Sequence, residues 1–207
     1  MKLKSWFICL AVVLAAVLPA GACMESFEDG DTLVTVVHTP EQAQAERPPC
    51  FPDPADRYIL LPEAENIALG KPVEASAHND VYVSRNLNDG KTETYWESSG
   101  FPAEVTVDLE GTWTVSTVAF CLNPSAIWEP RTQEIAVLVS TDGADFTEVV
   151  PAAAFTFDAE TGNRVRIDFD PAEAAYVRVV ITSNSAAPAH SKGAQVAEIC
   201  VYPQSGE

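Results

Sequence analysis

An all-β fold, two antiparallel sheets packed as a sandwich, is what this sequence predicts, and three observations predict it. From about residue 65 the chain is a series of short runs rich in β-branched and aromatic side chains, which fit a pleated, half-buried surface. Turn signals such as Asp142-Gly143, Gly162-Asn163 and Asp170-Pro171 separate the runs at the spacing of a sandwich. No stretch of ten or more residues joins helical periodicity to capping residues, and no repeat of fixed period is visible.

In chain order the clearest strands are AEVTVDLE (103–110), STVAFCL (116–122), QEIAVLVS (133–140), RVRIDF (164–169), AYVRVVITS (175–183) and VAEICVYP (196–203). The chain ahead of them reads differently. Residues 1–22 begin with Lys2 and Lys4, run through the apolar WFICLAVVLAAVLPA and lead into AGAC at 20–23. A short basic start, an apolar run too short for a membrane helix and a small-residue cleavage site make a secretory signal. Cleavage after Ala22 leaves Cys23 first, as in bacterial lipoproteins, although Ala20 stands where Leu is usual. The segment therefore reads either as a lipoprotein leader or as a plain secretory signal, and the protein as secreted or held at the cell surface. Residues 23–64 are rich in Asp, Glu, Pro and Gln and read as an extended, acidic spacer with one strand at 32–37. Residues 65–203 are the folded domain and 204–207 a tail.

Charge narrows the partners. The chain carries 12 Lys and Arg against 30 Asp and Glu, a net −18, and loss of Lys2 and Lys4 with the signal leaves −20. Such a surface repels phosphate backbones and anionic headgroups, so nucleic acid and acidic membranes are excluded as partners, with a lipid at Cys23 as the one route to a membrane. Of the cysteines, Cys50, Cys121 and Cys200 remain in an oxidising compartment. A disulfide between Cys121 and Cys200 is the first reading, because both lie in strand-like runs. Cys50 with Cys200 is its rival, and two buried thiols the third reading. No His joins them at zinc-site spacing.

LNDGKTETYW (87–96) is the densest motif, and with five other blocks it resembles one family in order. NIALGKPVEAS (66–76), AEVTVDLEGTWTVSTVAF (103–120), IAVLVSTDGADFTEVV (135–150), AAYVRVVITS (174–183) and AQVAEICVY (194–202) look like successive blocks of the discoidin or F5/8 type C domain, nearest the bacterial family 32 carbohydrate-binding modules. The resemblance implies a jelly-roll sandwich of the galactose-binding type. It also implies that the Asp-Gly loop wraps a structural calcium ion, which takes hard oxygen ligands. Asp89 and Thr94 would supply side-chain oxygens, Leu87 and Lys91 carbonyls, and Glu198 a carboxylate from the last strand. Lys91 departs from the Asp or Asn usual there, which weakens the site. The alternative for Asp89 is a turn residue, and Trp96 reads as core.

Ligands of this family sit on loops at one end of the sandwich. A sugar site needs an aromatic face and a few fixed polar groups. The loops at 76–86, 123–133 and 183–193 offer His78, Asn79, Trp128, Arg131, Asn184 and His190. Trp128 is the stacking candidate, or else packs over the sandwich end. Arg131 corresponds to a loop arginine that often bonds sugar in the family, or else pairs with Glu129 or Glu134. His78 and Asn79 fall where galactose binders place a polar contact, or else in a solvated turn. Tyr82 offers an edge, or points into the core.

The expected function is a non-catalytic carbohydrate-binding module for glycans of a cell surface or an extracellular polysaccharide. The acidic chain favours neutral sugars such as galactose or N-acetylgalactosamine, unless Arg131 reverses this locally. The sequence lacks a Gly-x-Ser-x-Gly elbow, a His-Glu-x-x-His pair and a phosphate-cradling glycine loop. Protein adhesion is the alternative reading of the same fold, marked by a flat apolar patch in place of a cleft.

Overall fold

The computed structural model describes residues 58–204 and, ahead of them, the backbone of two strands. The signal segment, most of the spacer with Cys50, and residues 205–207 lie outside the described residues. β1 (Cys23–Asp29) and β2 (Thr32–His38) form an antiparallel hairpin in a unit of their own, with Cys23 opposite His38. The strand expected at 32–37 thus has a partner where only extended spacer was expected.

The second unit is all-β among its described residues, with two short 3-10 turns at Ser84–Leu87 and Ala159–Thr161. Its strands are β3 (Val73–Ala75), β4 (Trp96–Glu97), β5 (Ala103–Cys121), β6 (Arg131–Ser140), β7 (Thr147–Phe157), β8 (Arg164–Asn184), β9 (Gln195–Val196) and β10 (Glu198–Pro203). All are paired antiparallel. Among the described residues no helix is long and apolar enough to cross a membrane.

Two pairs of segments that read as separate strands in the sequence are each one long strand. β5 runs through 103–110 and 116–122 almost without a break, and β8 joins 164–169 to 175–183. A local device bends β5. The Asp108 carboxylate accepts the Glu110 N–H at 2.8 Å, Glu110 takes a left-handed φ of 55°, and the register with β8 shifts between Asp108 and Trp113. Extra residues on one strand bend a ladder and increase its twist without ending it.

The bend divides the ladder into two layers. The first half of β5 pairs with the second half of β8, flanked by β3 on one side and by β6 and β7 on the other. The second half of β5 pairs with the first half of β8 and with β10. Two antiparallel sheets packed face to face result, as the alternation predicted. Trp96, Phe120, Phe157, Leu109, Leu122, Ile135, Ile181 and Ile199 are fully buried in the core. Each contributes about 1.5–3 kcal/mol by leaving water.

Cys121 and Cys200 are both free, buried thiols in the structure, so the expected disulfide is not formed here. Cys200 lies opposite Ala119 and Cys121 opposite Glu198, which makes the cysteines diagonal neighbours on one face of the β5–β10 ladder. Contact with Cys121, then burial, holds the Cys200 thiol far above the usual thiol range. That same contact lowers Cys121.

Candidate functional site

At one end of the sandwich β4 and β9 form a two-stranded ladder that sets Glu97 opposite Gln195. Trp96 points into the core from β4, so its neighbour Tyr95 faces outward. The loop between β5 and β6 brings Ile127, Trp128 and Glu129 over this floor, and Arg131 opens β6 beside it. With His190 from the loop after β8, these residues enclose an open recess of about 300 Å³.

The aromatic rings lock one another. Tyr82 stacks on Tyr95 with centroids 4.3 Å apart, and Tyr95 meets Trp128 edge-on at 4.9 Å. Burial, then its hydrogen bond with Tyr82, raises the Tyr95 phenol above its ordinary range, so it stays a neutral donor and acceptor. Trp128 is half-buried and leans on the core.

Beneath the rings lies a buried polar network. Arg131 is 7% exposed, with its guanidinium carbon 4.9 Å from the centre of the Trp128 ring. Its Nε donates to the Glu129 carbonyl at 3.1 Å and its Nη1 to Gln195 Oε1. Gln195 Nε2 donates to Glu97 at 3.0 Å, and Glu97 also accepts from Asn79 Nδ2 and the Lys192 N–H, each at 3.0 Å. Burial lowers the Arg131 pKa, against the pull of Glu129. Among the described residues no carboxylate stands within salt-bridge distance of Arg131. The pairing with Glu129 or Glu134 weighed from the sequence is therefore absent. Glu129 turns to His190 instead, at 3.9 Å, and Glu134 takes a hydroxyl bond from Thr182.

The structure brings Trp128, Arg131 and His190 to the recess and leaves the other three candidates outside its lining. His78 is exposed on its loop. Asn79 is spent on Glu97 and on Lys192 Nζ at 3.2 Å, one layer behind. Asn184 is buried and braces its own loop, donating to the Gly193 carbonyl at 3.0 Å and accepting from the Ala186 N–H at 3.0 Å. Tyr95, Gln195, Glu97 and Ile127 were missed. Tyr95 had a signal: next to an inward Trp96, an aromatic in a strand must face out.

The Asp-Gly loop gathers oxygens at a separate place. Thr94 Oγ1 donates to both Asp89 carboxylate oxygens, at 2.9 and 3.1 Å, and lies 3.3 Å from the Lys91 carbonyl. The Lys91 N–H donates to Glu198 at 2.9 Å, tying the loop to β10. Glu198 is 5% exposed, and burial pushes its acid up to about 8, with the neighbouring Asp89 carboxylate adding to the rise. Leu87, fully buried, anchors the loop's entry. Two adjacent carboxylates, one desolvated, with a hydroxyl and a carbonyl, form an oxygen set that suits a hard cation. Among the described residues no cluster of three or more His, Cys, Asp or Glu side chains is placed to hold a metal.

The F5/8 type C domain profile matches residues 72–199, more than half of the chain. The chain belongs to the F5/8 type C domain family. Comparison with curated protein sequences returns no significant match. Among solved structures, this F5/8 type C domain is similar to the CBM32 module of AlyQ, solved in complex with 4,5-unsaturated mannuronic acid. Identity is 26%, the TM-score is 0.51, and the match covers 63% of this chain and 93% of that one. A chitosan-binding module from the chitosanase/glucanase of Paenibacillus sp. IK-5 is 25% identical, with a TM-score of 0.52 over 68% of this chain and 99% of that one. A CBM32 module from a Clostridium perfringens enzyme, at 22% identity and a TM-score of 0.52, covers 67% and 98% and supports the fold. Several similar modules are single parts of larger enzymes: in truncated AlyQ, with its lyase domain, the match spans 32% of the chain.

Proposed function

We propose that this F5/8 type C domain is a non-catalytic carbohydrate-binding module that takes a pyranose ring in the recess formed by Tyr95, Trp128, Arg131 and Gln195. The observation that carries the reading is the recess itself: aromatic rings locked in place beside a buried set of fixed donors, the combination a sugar needs. Family membership and the sugar-binding modules among its structural relatives support it. A ring of galactose or N-acetylgalactosamine shape suits the aromatic wall, and the partner is a surface glycan or extracellular polysaccharide. Calcium, held by Asp89, Thr94, Glu198 and the Leu87 and Lys91 carbonyls, braces the loop against β10 and takes no part in sugar binding. The leader at 1–22 directs the protein out of the cell, with a lipid at Cys23 as the tether.

Protein adhesion is favoured by one observation, the 84% exposure of Ile127 at the rim. A glycan array probed with the multimerised full chain separates the two. Binding to a coherent sugar class that Trp128→Ala abolishes supports the module. Silence from the folded, calcium-loaded protein hands the reading to adhesion. Single-site affinity is weak, because a shallow recess buries little of one sugar, so multimers are needed.

A further inference from the structure

Arg131 is 7% exposed as a residue and has no ionic partner among the described residues. Its Nε and one Nη1 hydrogen are held by neutral acceptors, the Glu129 carbonyl and Gln195 Oε1. Its Nη2 has no acceptor among the described residues, and the side chain lines the recess. Two carboxylates, Glu129 and Glu97, favour its charge from a distance, and neither touches it. Glu97 accepts from Asn79, Gln195 and the Lys192 N–H and reaches Arg131 only through Gln195, and Glu129 is exposed and faces His190.

A buried charge is retained when something pairs with it, and an unpaired one is costly. Arginine presents a planar fork that matches a carboxylate in two-point geometry, and such bonds are roughly twice as strong as neutral ones. A sugar hydroxyl would accept one hydrogen bond without bringing an anion into contact with the charge. Resting on the carbohydrate reading above, we infer that the recess takes a sugar bearing a carboxylate, a hexuronate residue, with the free Nη2 edge of Arg131 as its anchor. The neutral-sugar expectation came from the charge of the whole chain. Arg131 carries the opposite sign, and pairing at contact distance outweighs a screened surface field.

The test measures calorimetric binding of oligomers of galacturonate, glucuronate and mannuronate to the full chain, each against its own methyl ester, which keeps the ring and removes the charge. Galactose oligomers serve as the neutral series. At least one uronate should bind tenfold or more tightly than its ester, with affinity falling as salt rises. Arg131→Gln should erase that preference at an unchanged circular dichroism spectrum, and Arg131→Lys should keep part of it. If the variants do not fold, the acid-against-ester comparison on the unaltered chain decides alone. Esters or galactose binding as tightly as every acid would overturn the carboxylate and leave the carbohydrate reading standing. No binding in either series, together with a silent glycan array of the multimerised chain, would remove both.

Discussion

Gln133 grips Gln195 at both ends of one residue: its Nε2 donates to the Gln195 carbonyl at 2.8 Å, and its Oε1 accepts the Gln195 N–H at 2.9 Å. A side-chain amide thereby imitates a neighbouring strand and fixes the residue whose own side chain reaches both Arg131 and Glu97. Gln133→Leu removes the imitation and orphans a buried donor and acceptor. Each unsatisfied group costs about 1–3 kcal/mol. Urea unfolding should show a loss within that range or above it, and sugar affinity should fall with it.

Trp128 belongs to the recess more than to the core. Trp128→Ala should reduce glycan binding at least tenfold while lowering stability by no more than about 1–2 kcal/mol, since the ring is already half in water. Equal damage to binding and fold would mean that the ring is chiefly a packing element.

Calcium should raise the melting temperature, and chelation should lower it. Glu198→Gln removes a buried carboxylate that burial already penalises, so without calcium the variant should be as stable as the parent or more so. With calcium it should lose the gain that the parent shows. A calcium response preserved in Glu198→Gln, or absent from the parent, would count against the cation.

Asp142 heads the β6–β7 turn, where its Oδ1 accepts the N–H groups of Ala144 and Asp145, each at 2.9 Å. These bonds hold its pKa below the ordinary value of 3.8. A depressed folded-state pKa means that the unfolded chain binds the proton first. Stability is therefore present above pH 3.8 and is lost as pH falls through the lower folded value. Asp142→Asn should flatten that acid limb in pH-dependent melting.

Cys121 and Cys200, diagonal neighbours on one face, should oxidise to a disulfide when incubated with glutathione disulfide, which is reduced to two glutathione thiols as the cross-link forms. The product should be lighter by two hydrogens in the intact mass and more stable by roughly 2–4 kcal/mol. Persistent reactivity of both thiols after unfolding would rule the cross-link out.

The sandwich was legible because burial on one face writes itself into alternation, as in Val105, Val107 and Leu109. The joining of segments into β5 and β8 was not, because Glu110–Thr114 looks like a turn and bends without leaving the ladder. Trp128 and Arg131 stood out by residue type and loop position. Gln195 and Glu97 did not, since a two-residue ladder between β4 and β9 has no periodicity to betray it. Asn184 misled for the opposite reason: a polar residue in a loop reads as a contact, while its amide is needed to hold that loop.

β5 and β8 each pass through both layers, so neither sheet can open while the other keeps its strands. Unfolding should consequently be one event: amide protons on both sides of the bend would exchange with the same global opening energy, with no half-open sandwich to expose sticky edges to its neighbours.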